Sequence, residues 1–313
     1  MKKYIIIILA IVSVKVSAQQ IYSTSQFSEN LYSINPAVAG NLEYNPLIMT
    51  FKEFWSGINN APQLNSLGVH TSLTERVGLG GKAFSYSAGL TNKSGIEATY
   101  SYNLPISGSE DGPKIAFGLS GFLYQYKLKK DQIKMEDQND NAIAFSSEKL
   151  IVPDASFGTY LFGKNYSAGI AVSQLFNRKI NMLNKDYLEL KQVRHYFLHG
   201  DYKYDINENY SVKGSLLVKY IEAGQIQSDI TLKGIFYNVA WAGVSFRTSD
   251  AVSVLVGVTK NRFALGYAYD IAMSDVRKYS RGSHELMLIY ILPSNFSKRN
   301  SLFGDEPTVR LGI

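Results

Sequence analysis

"YSVKGSLLVKY", Tyr210 to Tyr220, decides the fold. In an extended chain Val212, Gly214, Leu216, Val218 and Tyr220 share one face. Ser211, Lys213, Ser215 and Lys219 share the other, and Leu217 alone breaks the rule. A period of two belongs to a strand with one apolar and one polar side. The pattern recurs along the chain. In "GIEATYSYNL", Ile96, Ala98, Tyr100, Tyr102 and Leu104 oppose Glu97, Thr99, Ser101 and Asn103. In "VRHYFLHGDYKYDI", Tyr196, Leu198, Tyr202, Tyr204 and Ile206 oppose His195, His199, Asp201, Lys203 and Asp205.

Two architectures produce such strands. In a soluble sandwich the apolar face is core; in a membrane barrel it faces lipid. Several segments run about 9 to 11 residues, the span of a tilted transmembrane strand. The chain holds 22 Tyr and 16 Phe, and pairs such as Tyr100 and Tyr102 or Tyr267 and Tyr269 stand near segment ends, where interfacial girdles form. Beyond the first residues no apolar run is long enough for a membrane helix. The reading is an all-β chain, a transmembrane antiparallel β-barrel of about 14 strands preceded by an N-terminal segment.

The expected strands are 46–54, 64–73, 77–86, 95–104, 114–126, 154–162, 166–176, 193–206, 210–221, 226–237, 239–248, 252–260, 262–271 and 284–292. Connection lengths test that count, because one end of such a barrel carries short turns and the other longer loops. The longest connections, 127–153, 177–192 and 272–283, are all odd-numbered. Even-numbered ones include 163–165, Asn238 and Lys260-Asn261, with "PISGSEDGP" the exception. Both termini and the short turns are therefore expected in the periplasm.

The leader sets the compartment. Lys2 and Lys3 precede an apolar run, and Val16-Ser17-Ala18 offers small residues for cleavage, as in a secretory signal at 1–18. Domain expectations follow: 19–45 as a periplasmic or plug segment, 46–292 as an outer-membrane barrel, and 293–313 as a periplasmic tail. With no Cys, neither a lipid-anchoring cysteine nor a disulfide framework exists. The chain has 32 basic and 26 acidic side chains, a net +6; three of the lysines precede residue 19, leaving +3 afterwards. That balance, without a dense basic run, gives no footing to nucleic acid.

The segment before the first strand contains "NPAVAG", Asn35 to Gly40. Asn-Pro favours a turn, and Gly40 closes one where a side chain would clash. A lumen of this width is not filled by short side chains alone, so 19–45 is read as folding inward as a partial plug or docking against a partner at the mouth. Phe27, Leu31, Tyr32 and Ile34 carry more apolar surface than a solvated tail does.

No catalytic constellation stands out, and no cofactor or metal is expected. "GLGGK" (78–82) lacks the Ser or Thr and the glycine spacing of a phosphate loop, so its glycines read as relief of crowding in a strand. His195 and His199 would lie about 13 Å apart on a strand, too far to share an ion, and read as lumen-facing. Asp270 and Glu285 read as lumen charges, with Arg247 and Lys203 as partners across the barrel.

"SQFSENLYSINPAVAG" (25–40) followed by "FKEFWSGI" (51–58) resembles the opening signature of the PorP/SprF family, and "YAYD" with "GSHE" matches near the end. Val38 stands where such proteins often have Tyr, and Ser56 where Pro commonly follows Trp55. The resemblance implies an outer-membrane protein of the type IX secretion system and gliding motility, set in outer-membrane lipid. It further implies no enzymatic activity, and as partners secretion components and a secreted cargo such as an adhesin. Tyr32, Ile34, Asn35, Pro36, Val38, Gly40 and Trp55 are the expected partner-binding residues. The alternative function is a transporter or porin for small solutes or hydrophobic compounds.

Overall fold

The computed structural model describes residues 22–106, 112–129, 149–180, 190–222, 224 and 226–293. The expected signal sequence, the tail from 294 and most of the connection after 128 lie outside these residues. The strands are β1 (Pro46–Glu53), β2 (Gln63–Ser72), β3 (Val77–Ala88), β4 (Thr91–Pro105), β5 (Lys114–Leu128), β6 (Lys149–Phe162) and β7 (Tyr166–Ser173). A short hairpin, β8 (Lys179–Ile180) with β9 (Leu190–Lys191), interrupts the series. Then follow β10 (His195–Asp205), β11 (Tyr210–Ile221), β12 (Ile226–Phe236), β13 (Ala240–Arg247), β14 (Ala251–Lys260), β15 (Phe263–Ala272) and β16 (Ser283–Ile291).

All but β8 and β9 form one closed antiparallel barrel of 14 strands. β1 closes it by pairing with β2 on one side and β16 on the other; Thr50 faces Ser66 and Met287. Closure leaves no unpaired strand edge, the condition for crossing a bilayer with strands. Alternation assigns the two faces. On β11, Ser211, Lys213, Ser215, Leu217 and Lys219 are buried inward, whereas Leu216 and Tyr220 are exposed outward. Outward exposure runs high for apolar residues elsewhere, reaching 65% at Ile151 and 60% at Ile96. Such a surface belongs in lipid rather than in water.

The expected strands all exist, with three changes at the loop end. First, β3 runs to Ala88 and β4 starts at Thr91, where 87–94 was expected as a connection. Residues 127–128 and 149–153, expected in a loop, extend β5 and β6; the β6 residues before Ser156 pair with β5 alone, past the end of β7. Pro153 within the run, which cannot donate to the ladder, masks the strand signal of this part of β6. Residues 174–176, expected in a strand, lie beyond β7.

The core is in the lumen, and the N-terminal segment supplies about half of its largest cluster. Phe27, Leu31, Tyr32, Ala37, Val38 and Ala39 cluster with Ala116, Tyr160, Ala171, Phe197 and Leu217 of the wall. Leu217, the residue that broke the polar face of β11, is therefore inward and packed. The segment starts β1 from the end of short turns, the turn end. It runs the length of the barrel to Tyr22, which stacks near Phe84 and Tyr86 toward the other, loop end. Residues 22–45 thus thread the lumen.

Candidate functional site in the barrel lumen

Asn35 caps a single 3-10 turn, Pro36–Val38, with Pro36 in the first position where no amide hydrogen is needed. Its Oδ1 accepts from the Ala37 amide at 2.9 Å. Its Nδ2 donates to the Thr159 carbonyl and to His199 Nε2, both at 2.9 Å. At the far end of the motif the Gly40 amide donates to His70 Nδ1 at 3.2 Å. Gly40 has φ +70°, a left-handed conformation that favours glycine, and a Cβ there would strike the backbone of Gly78 and Thr71. The turn expected from the sequence is thus formed, and its two ends are held by two buried imidazoles.

Small residues let the motif touch the wall. A Cβ on Gly118 of β5 would collide with the Pro36–Ala37 backbone, and one on Gly158 of β6 with the Asn35 amide. Gly78, the first glycine of "GLGGK", faces the Ala39 carbonyl, which also accepts from Ser101 Oγ. The crowding these glycines relieve comes chiefly from the N-terminal segment, joined at Gly78 by Ser101 of β4.

Charge anchors the rest of the segment. At the loop end the Ser25 amide donates to Glu285 Oε2 at 2.6 Å, and its hydroxyl donates to Asp270 at 2.6 Å. Lys52 donates to Ser25 Oγ and pairs with Asp270 at 2.8 Å and with Glu285 at 3.0 Å. Arg247 joins through Asp229 at 3.0 Å and reaches Asp270 at 3.8 Å. Arg247 is a partner of Asp270 as expected, but the second is Lys52, not Lys203. Lys203 lies toward the turn end of β10 and Asp270 toward the loop end of β15, so the barrel's height separates them.

Deeper in the lumen Glu29 pairs with Lys233, while Lys213 donates to the Ser28 carbonyl at 3.3 Å. Burial alone would push the Glu29 carboxyl up; the charges of Lys233 and Lys213 more than offset it and hold the group below its ordinary value. Tyr32 bonds Thr99 Oγ1 at 2.8 Å, and burial followed by the Glu97 charge pushes its phenol up. Lys82 pairs with Glu97 beneath it.

The expected partner-binding residues therefore separate into two groups. Tyr32, Asn35, Pro36, Val38 and Gly40 are buried, with Ile34 packed beside them, all against this chain's own barrel. In this conformation the five buried ones present almost no surface to another protein. Trp55 stands apart at the loop end, half-buried, its amide bonded to Ser283 Oγ at 3.1 Å. Of the residues that hold the segment, alternation had marked Lys213, Lys219, Glu97 and His199 as polar-face. Nothing local marked Ser25 or Lys52.

Among solved structures, the monoaromatic hydrocarbon channel CymD shares 11% identity across 87% of this chain and 94% of its own, with a TM-score of 0.50. The toluene transporter TbuX of Ralstonia pickettii shares 9% identity across 83% and 92%, with a TM-score of 0.48. At such identity the likeness to CymD concerns the barrel fold alone. Among curated proteins no match was found. The sequence itself matches, over residues 16–290, the family described as type IX secretion system membrane protein PorP/SprF. This outer-membrane β-barrel, with its occupied lumen, belongs to that type IX secretion family.

Proposed function

We propose that this barrel holds a specific type IX cargo, an adhesin foremost, at the outer membrane during secretion or surface attachment, and catalyses no reaction. One observation carries the reading: the lumen is filled by the chain's own N-terminal segment through buried hydrogen bonds, ion pairs and apolar contacts. A barrel closed in this way acts as a scaffold in the membrane rather than as an open conduit. Partner contact then falls to the rims. The loop end, taken as the outer face from the parity of the connections, carries Trp55 and the exposed Met273 and Tyr279. Apolar anchors within polar surroundings are what a protein interface needs.

Deletion of the protein tests this. The expected result is loss of one or a few large proteins from the cell surface while general type IX secretion continues. An unchanged surface proteome with loss of uptake of a solute would establish the transporter function instead. Removing 25–40 alone separates the two contributions: it opens the lumen, and cargo retention survives if the rims make the contact.

A further inference from the structure

The segment does not fill the lumen evenly. Between it and the wall, in the loop-end half of the barrel, lies a cavity lined by Tyr22 and Phe27 from the segment and by Phe84, Phe122 and Tyr124 from the wall. Lys93 of β4 also lines it, its ammonium 4.1 Å from the centroid of the Tyr124 ring and 5.4 Å from that of Tyr126. The other two lysines on this cavity are neutralised: Lys82 pairs with Glu97, and Lys219 with Asp229 at 3.8 Å. Lys93 has no carboxylate within 4 Å among the described residues; the charge of the buried Asp154 acts on it from farther away. Its near polar neighbour is the neutral Gln174 amide, whose oxygen lies 3.2 Å from Nζ once the amide is turned to satisfy its hydrogen bonds.

A half-buried ammonium with no carboxylate in contact leaves a place for a ligand's charge. Aromatic rings attract the cation without neutralising it. We propose that this cavity binds a small carboxylic acid with an apolar body, the carboxylate on Lys93 and the body against the rings. A single negative charge matches the one lysine on this cavity with no carboxylate in direct contact. The cavity's own carboxylates, Glu97 and Asp229, disfavour a more highly charged anion such as a phosphate monoester. The chemistry is shared by two sources, a free acid and the C-terminal carboxylate of a polypeptide ending in an aromatic residue. Because the segment forms one wall, bound ligand also pins the segment in place.

Calorimetry on the full mature chain in nanodiscs tests the site with four probes: phenylacetate, phenylacetamide, a tetrapeptide ending in Phe with a free carboxylate, and the same peptide amidated. At least one acid is expected to bind saturably, and its amide about tenfold more weakly, the scale of one charged hydrogen bond. Lys93→Met should lose the same factor and Lys93→Arg should restore most of it, with heat-modifiable migration on gels showing that both variants remain folded barrels. Binding of phenylacetate identifies a free acid as the ligand class; binding of the peptide alone identifies a chain end. Saturable binding by neither acid overturns the proposal, as does equal binding of acid and amide or an unchanged affinity in Lys93→Met.

Discussion

Asn35 Nδ2 lies 2.9 Å from His199 Nε2, joining the N-terminal segment to β10 inside the barrel. An amide nitrogen only donates, so this ring nitrogen is the acceptor and the proton sits on Nδ1. The same side chain also caps its own turn and bonds the Thr159 carbonyl of β6. One residue thus ties three parts of the molecule together. Asn35→Ala should weaken seating of the segment by about 2 to 4 kcal/mol, from a lost cap and a buried acceptor left without its donor. A cysteine placed at Val38 reports it: thiol labelling should be slow in the parent and much faster with Asn35→Ala, while the barrel keeps its heat-modifiable migration.

The glycine seat predicts a selective opening. Gly118→Val places a branched side chain where Pro36 and Ala37 now lie, so the segment must leave while the strand still pairs. Gly121→Ala on the same strand meets nothing within 4 Å and serves as control. In planar bilayers Gly118→Val should raise single-channel conductance several-fold over the parent, and Gly121→Ala should match it. Equal conductance in all three would mean that the segment does not close the lumen.

Lys52 is fully buried between two carboxylates, Asp270 and Glu285. Lys52→Ala leaves both without their shared cation, a change costing about 3 to 5 kcal/mol in a buried pair. The melting temperature in detergent should fall clearly. Adding Asp270→Asn and Glu285→Gln should recover part of the loss, since the stranded charges are then removed. If the triple variant melts no higher than Lys52→Ala, charge is not what the cluster contributes.

Seating of the segment should depend on acid in one direction. The Glu29 carboxyl is held below its ordinary value of 4.5 in the folded protein, so its pairing with Lys233 stabilises the folded state fully above that pH. This contribution fades as pH falls below 4.5 and through the folded value. Labelling of the Val38→Cys probe, taken relative to a free thiol at the same pH, should accelerate as pH falls below 4.5. Glu29→Gln should show faster labelling already at neutral pH and a shallower acid response.

Orientation is testable with thiols because the chain contains no cysteine. Asn59 lies in the exposed connection between β1 and β2 at the loop end, and Asn207 in the exposed turn between β10 and β11 at the turn end. Asn59→Cys should react with an impermeant maleimide in intact cells, and Asn207→Cys only after lysis. The reverse pattern would invert the proposed outer face.

The strands, their number and which side of each meets lipid were legible in the sequence. Alternation is a local property, enforced at every second residue by a bilayer on one side and a polar lumen on the other. The turn at Asn35–Gly40 was legible for the same reason, since Asn, Pro and Gly act on their own backbone. Its place was not. Whether Ser25 meets Glu285, or Asn35 meets His199, depends on residues brought together only when the barrel closes. Leu217 looked like an error in a polar face and Gly78 like relief within a strand, because their partner is a segment far away in the chain. The destination of Phe27 to Gly40 was likewise decided by tertiary structure: apolar and small residues without a strand partner found their burial inside the lumen of the barrel that follows them.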